Sequence, residues 1–314
     1  MISRKEDLVT LASDSKKLPN FIWGTILVLI FMFVGQIVGG ICVVPLYFIL
    51  NNFDYFLYNQ NFLELFLSLM SCIFVSALVF IRVKFREKRS ISTLGFSKDN
   101  WFKKYAKGFL IGIIMMTVVV LILFVFGCIE VEKNPSQPVG IASLSGVLII
   151  LAGWIMQGAS EEIVTRGWFM NVIGARYNIT FGLILSSVIF GLLHLLNPQV
   201  NLLAVINIIL VGFFYGLYVI KTNDLWAVCG MHTAWNFAQG NIFGFEVSGI
   251  NVQVCSIFDL NLVGNDVISG GVFGPEAGLI STFVLLAGIV IVLMLDKKSY
   301  FNDKQGFKSV ISKV

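Results

Sequence analysis

The chain has 314 residues, of which 57% are hydrophobic and 13% charged, with a formal net charge of +4. A soluble domain carries about 25% charged residues, and so many apolar side chains cannot all be hidden in one soluble core of this size. Helices that are apolar all round are stable in lipid, where each span needs roughly 20 residues. The composition therefore predicts an all-α, polytopic membrane protein with about eight spans and no nucleic-acid partner.

In chain order, the apolar runs predict three regions. A cytoplasmic N-terminal tail occupies residues 1–20, the transmembrane domain occupies residues 21–296, and a basic cytoplasmic tail occupies residues 297–314. The seventh run is the least apolar because it contains polar residues such as His232 and Asn236. The eight spans are expected near 21–49, 62–81, 108–128, 142–165, 180–197, 201–220, 225–243 and 276–295.

The charges of the connecting segments predict an orientation. Basic residues cluster in loop 82–107 and after Leu295, whereas loops 50–61, 129–141 and 244–275 contain one base between them. Because basic loops stay on the cytoplasmic side, eight spans place the basic segments on that side and the base-poor segments on the other. We therefore expect a cell-membrane protein with both ends in the cytoplasm.

Ionisable residues inside the predicted spans are few, and they gather on spans four, five and seven. A charge near the bilayer centre costs about 2.5–3.5 kcal/mol on insertion scales, so each such residue needs a reason. The only two histidines of the chain, His194 and His232, both lie inside spans, and Glu161 and Glu162 lie in span four. This distribution predicts one shared interior site.

The acidic pair of span four divides into two roles. Glu162 and Arg166 are four residues apart, so they lie on one helical face and can form an ion pair. Glu161 is rotated by about 100° and lacks that partner. We interpret Glu162 and Arg166 as structural support and Glu161 as the chemical group.

The other polar residues are also spaced by one helical turn. Phe190 and His194 share one face, as do His232 and Asn236. The amide of Asn236 can donate a hydrogen bond to a developing oxyanion beside His232.

Two hydrolytic chemistries fit these groups. In one, a glutamate takes a proton from water that a histidine orients, and an amide with a second histidine stabilises the tetrahedral oxyanion. In the other, Glu161, His194 and His232 hold zinc with water at the fourth position. The sequence leaves both open. It contains neither HExxH nor GxSxG, which argues against site-2-type zinc proteases and rhomboid-like serine chemistry.

Three motifs follow one another on three spans: EExxxR at 161–166, FxxxH at 190–194 and HxxxN at 232–236. In this order and spacing they resemble the CPBP family of intramembrane proteases, which includes the CAAX prenyl endopeptidases and bacterial Abi-type proteins. The resemblance runs from about Ser90 to Leu295.

The resemblance implies that Glu161 activates water together with His194, and that His232 and Asn236 hold the oxyanion. The implied substrate is a membrane-associated or prenylated peptide or protein, and bacterial relatives are linked to peptide maturation and bacteriocin immunity. The family is named for metalloprotease character, yet a metal-free glutamate mechanism is also argued for it. Zinc therefore stays one of two alternatives.

Two other functions stay open. The chain could be a non-catalytic immunity or sensor protein built on a protease-like scaffold. It could also be a proton-coupled transporter, since buried Glu and His serve proton relays, although no inverted repeat is visible.

The predicted depths of two residues conflict with a shared site. Glu161 falls near the cytoplasmic end of span four, whereas His194 falls near the outer end of span five. The two side chains meet only if span four continues past Arg166, or if span five sits deeper or starts later than predicted.

Overall fold

The computed structural model describes residues 7–57 and 59–295, so the predicted tail 297–314 lies outside the described residues. The described part is built from helices, with two short strands. The elements are α1 (Leu8–Ser13), α2 (Phe21–Leu50), α3 (Asp54–Leu57), α4 (Gln60–Ser71), α5 (Ile73–Ile81), α6 (Trp101–Val125), β1 (Ile129–Val131), α7 (Leu144–Glu162), α8 (Met170–Arg176), α9 (Ile179–Leu193), α10 (Leu202–Thr222), α11 (Trp226–Phe237), β2 (Leu260–Leu262), α12 (Asp266–Ser269) and α13 (Leu279–Met294).

Six helical stretches in the described part are long and apolar enough to cross a membrane. This finding confirms the prediction of a polytopic all-α membrane protein. A further apolar helix, α13, has 16 residues and matches most of the predicted eighth span. The six stretches are Phe21–Leu50, Gln60–Arg86, Trp101–Val125, Gly140–Arg176, Ile179–Leu196 and Leu202–Thr222.

Helix α11, in the predicted seventh span, is enclosed by protein. It has 12 residues and continues as the π-helical turn Ala238–Ile242. Residues 227–241 are all buried. The backbone of α11 touches that of α6, because a Cβ atom on Gly108 would lie 1.9 Å from the carbonyl oxygen of Ala227. The polar residues of this helix therefore face other helices and not lipid.

One end of the molecule is closed by a loop cap, which we define as residues 126–143, 197–201 and 243–278. Strands β1 and β2 pair antiparallel within it. The backbone N–H of Gly140 donates to the carbonyl of Ser256 at 3.1 Å. These bonds join segments that are far apart in the sequence into one layer.

The opposite end carries the basic loop 82–107, and we call it the basic end. Lys104 Nζ lies 2.7 Å from Asp224 Oδ2, and the Leu225 N–H donates to the Gly95 carbonyl at 3.0 Å. Helix α6 begins in this loop and ends at the loop cap, whereas α7 begins at the loop cap. The membrane-crossing helices therefore connect two chemically different ends.

Candidate active site

The helix that carries Glu161 is longer than the predicted span four. Helix α7 passes without interruption into the π-helical segment Ile163–Phe169 and then into α8, which gives one helical stretch, Gly140–Arg176, of 37 residues. Glu161 therefore lies inside the stretch and not at its end. This continuation past Arg166 is one of the conditions under which Glu161 and His194 can meet, and π-helical turns are frequent at functional sites.

A chain of two hydrogen bonds fixes one oxygen of the Glu161 carboxylate. Gln157 Nε2 donates to Glu161 Oε1 at 2.7 Å, and Gln157 Oε1 accepts from Asn236 Nδ2 at 2.9 Å. The second oxygen, Oε2, is buried and has no hydrogen-bond partner among the described residues. It lies 3.8 Å from Nε2 of His232. One oxygen is thus held in place, and the other is free to take a proton.

Behind Glu161, His232 belongs to a buried ionic cluster. His232 Nδ1 and Arg166 Nη1 each lie 2.9 Å from Glu162 Oε1, and the Arg166 and Glu162 side chains are fully buried. Because this carboxylate accepts, Nδ1 of His232 carries a proton and its Nε2 faces Glu161. The Arg166 guanidinium also stacks on the ring of Phe190, with 4.1 Å from Cζ to the ring centroid.

His194 begins the 3₁₀ turn His194–Leu196 at the end of α9. Its Nδ1 lies 2.8 Å from the backbone carbonyl of Phe190. A carbonyl can only accept, so Nδ1 donates its proton there, and Nε2 is left as the free acceptor of the neutral ring. The Phe190 ring packs against the His194 ring with 4.9 Å between centroids. The orientation of this imidazole is therefore set by Phe190.

Glu161, His194 and Asn236 line one cavity of about 210 Å³. Gln157, which is hydrogen-bonded to both Glu161 and Asn236, also lines it. The remaining lining comes from the transmembrane helices and the loop cap: Met32, Leu65, Ser68, Leu69, Trp154, Leu193, Asn197, Val247, Ser248, Ile250 and Val252.

The structure thus places all seven predicted site residues around one point. Three of them line the cavity, His232 lies behind Glu161, and Glu162, Arg166 and Phe190 form the layer behind His232. Their catalytic and supporting roles remain predictions.

Sequence reasoning missed two residues of the site. Gln157 lies one helical turn before Glu161 and joins it to Asn236. An amide side chain inside an apolar run could have indicated a site residue, because a polar side chain inside a span needs a hydrogen-bond partner. Tyr215 is buried, and its ring lies 5.8 Å from the His232 ring. Tyrosine is common in apolar helices, so no sequence signal distinguished it.

Of the three proposed zinc ligands, Glu161 and His194 line the cavity and His232 lies behind Glu161. In the part of the chain that the structure describes, no group of three or more His, Cys, Asp or Glu side chains is arranged to hold a metal ion. Whether Glu161, His194 and His232 hold zinc therefore stays a prediction.

Fold and site together define a polytopic membrane protein with a Glu–His–Asn cluster inside its helical bundle. Residues 142–238, which contain all three motifs, match the family described as "Type II CAAX prenyl endopeptidase Rce1-like". This match confirms the resemblance over that segment.

The chain is also similar to a protein of Bacillus subtilis (strain 168) named "Uncharacterized protein YyaK". The two are 29% identical over 187 residues, which is 57% of this chain and 60% of that protein. The alignment thus spans about three fifths of the length of this curated relative, whose name states no activity.

Proposed function

We propose that this protein is an intramembrane endopeptidase that hydrolyses a peptide bond in a membrane-associated peptide. The observation that carries the proposal is the buried Oε2 atom of Glu161, which has no hydrogen-bond partner among the described residues and belongs to a side chain that shares one cavity with His194 and Asn236. The match to a membrane-protease family over residues 142–238 supports it.

In the first step, a water molecule binds between Glu161 and His194. Nε2 of His194 accepts one hydrogen bond from this water and orients it. Glu161 Oε2 takes a proton as the water oxygen attacks the carbonyl carbon of the peptide bond. The bond between Gln157 and Glu161 Oε1 keeps the carboxylate aimed during the transfer.

In the second step, the tetrahedral oxyanion is stabilised and then collapses. Asn236 Nδ2 has two N–H groups, and one is used by Gln157. The other is available to donate to the oxyanion. Glu161 then passes its proton to the leaving nitrogen and the C–N bond breaks. The products are a carboxylic acid, which keeps the second hydrogen of the water, and an amine; proton transfer from the acid to the amine gives a carboxylate and an ammonium group.

The ionic cluster behind Glu161 holds the base in place. His232 faces Glu161 through Nε2, and Glu162 fixes the imidazole through Nδ1. Arg166 balances the charge of the Glu162 carboxylate, with Nη1 2.9 Å from Oε1. Such outer groups commonly orient the groups that carry out the chemistry.

Cleavage by the purified protein separates this proposal from a non-catalytic or transport role. The full chain in proteoliposomes is incubated with a mixture of synthetic peptides, and new peptide termini are measured by mass spectrometry. The proposal expects new termini with the unsubstituted protein and none with Glu161→Gln. Peptide uptake that depends on Glu161 without cleavage would instead identify a transporter, and the absence of both would contradict catalysis.

A further inference from the structure

The cavity lined by Glu161 reaches the surface of the protein at the loop cap. Ser248 and Ile250, both in the loop cap, form part of its lining, as does Asn197. Asn197 Nδ2 donates to the Ser248 carbonyl at 3.0 Å, so two cap segments meet at this rim. Ile250 is 47% exposed. The rim of the cavity is therefore accessible from this end.

Towards the basic end, the same site is closed. The next layer consists of the Glu162 and Arg166 side chains, which are both fully buried. Beyond it, Val164 and Trp168 belong to the main hydrophobic core together with Leu225. None of the residues that line the cavity comes from the basic loop 82–107. A substrate that came from this end would have to pass through the ionic cluster and the core.

The two ends also differ sharply in charge. Of the 22 Lys and Arg residues in the chain, Lys133 alone lies in the loop cap. Loop 82–107 lies at the other end, and its bases are Arg82, Lys84, Arg86, Lys88, Arg89, Lys98, Lys103, Lys104 and Lys107. Short loops that are rich in Lys and Arg remain in the cytoplasm. The charge distribution therefore places the loop cap on the non-cytoplasmic face of the membrane.

From the direction of the opening and the position of the charges, we infer that the cavity is entered from the non-cytoplasmic face. Its substrate is accordingly a peptide segment exposed at that face, and not a lipidated tail in the cytoplasm. The assignment of a peptide substrate rests on the proposed function, whereas the direction of access does not.

The direction of access is measured by cysteine labelling, which needs no enzymatic activity. All five native cysteines are free, and Cys42 is the exposed one. In a Cys42→Ser background, single cysteines are placed at Ile250 on the cavity rim, at Val267 elsewhere in the loop cap, and at Lys98 in the basic loop. A membrane-impermeant maleimide is added to intact cells and, separately, to permeabilised cells.

We expect Ile250→Cys and Val267→Cys to be labelled in intact cells, and Lys98→Cys to be labelled only after permeabilisation. Val267 is 56% exposed and does not line the cavity, so it reports the side of the loop cap separately from the cavity rim. Labelling of Lys98→Cys in intact cells, with protection of the two cap positions, would overturn the inference. Labelling of Val267→Cys without Ile250→Cys in intact cells would also overturn it, because the rim would then be closed.

A second measurement connects access to cleavage. Sealed right-side-out and inside-out membrane vesicles are incubated with the same charged synthetic peptides, which do not cross the bilayer. Cleavage only by right-side-out vesicles supports the inference. Cleavage only by inside-out vesicles overturns it but leaves the peptidase intact. If the labelling is as expected and neither kind of vesicle cleaves, the direction of access stands, whereas both the proposed function and the peptide substrate fail.

Discussion

Gln157 offers a direct test of how the site is organised, because it joins two residues with predicted catalytic roles. The substitution Gln157→Leu keeps a similar side-chain volume but removes both hydrogen bonds, at 2.7 Å to Glu161 and at 2.9 Å from Asn236. A hydrogen bond to a charged group contributes about 1.5–3 kcal/mol. If this energy is lost from the transition state, the rate falls about 10- to 150-fold.

The expected change is in kcat and not in KM. Gln157 orients the carboxylate and the amide, whereas substrate affinity depends on the rest of the cavity. Ser68→Ala is the matched control, because Ser68 lines the same cavity without a hydrogen bond to Glu161 or Asn236. Both variants are assayed in proteoliposomes on a peptide that the unsubstituted protein cleaves, after their folding has been checked by thermal unfolding in detergent. If Gln157→Leu keeps full kcat, or loses no more than Ser68→Ala, the proposed positioning role is refuted.

Two further predictions concern stability, measured by thermal unfolding in detergent. Arg166→Met leaves the buried Glu162 carboxylate without its cation, so we expect the free energy of unfolding to fall by about 3–5 kcal/mol. The double variant Glu162→Leu/Arg166→Met removes both charges and should lose less stability. An equal or greater loss in the double variant would contradict a charge-based cause. Gly108→Ala places a Cβ atom against the Ala227 carbonyl at 1.9 Å, so we expect a cost of at least about 1–3 kcal/mol. Gly40→Ala is the matched control, because a Cβ atom on Gly40 would meet no atom within 4 Å. We expect this control to be stabilised by at most about 1 kcal/mol. Equal effects of the two substitutions would contradict the close contact between Gly108 and Ala227.

The hydrophobic runs predicted the membrane class well but located some helix ends poorly. Helix α6 begins at Trp101, seven residues before the predicted start at Gly108. The difference spans Lys103, Lys104 and Lys107, whose charges mark the end of an apolar run without ending the helix. Long basic side chains extend towards the membrane surface, so they are compatible with the first turns of a membrane helix.

Helix α11 shows that composition alone does not tell which membrane helices face lipid and which are enclosed by protein. The apolar residues of this segment predicted the seventh span, and in the structure its helix is buried among other helices from Ala227 onwards. A helix inside a bundle and a helix in lipid are both apolar, and only the packing of neighbours separates them. The polar residues His232 and Asn236 were the sequence signal that this helix is enclosed by protein, unlike the helices that face lipid.

The candidate site was predicted from motif spacing, but its depth was not. The sequence placed Glu161 near the cytoplasmic face of the membrane and His194 near the outer face. The π-helical continuation Ile163–Phe169 lengthens the first helix, so that Glu161 lies well inside it. A π-helical turn that extends a helix has no distinctive sequence pattern, so this continuation could not be predicted. Likewise, Gln157 was visible as a polar residue, but its two partners depend on how α7 packs against α11.

The measurement that tests the central claim most directly is the ratio of peptide-cleavage rates between two glutamate variants in proteoliposomes. Glu161→Gln removes the proposed general base, whereas Glu64→Gln makes the same chemical change at an exposed position of α4 that does not line the cavity. General-base catalysis contributes about 10²–10⁴-fold. We predict a loss of at least about a hundredfold for Glu161→Gln with little change for Glu64→Gln; comparable rates for the two variants would contradict the assignment of Glu161 as the base.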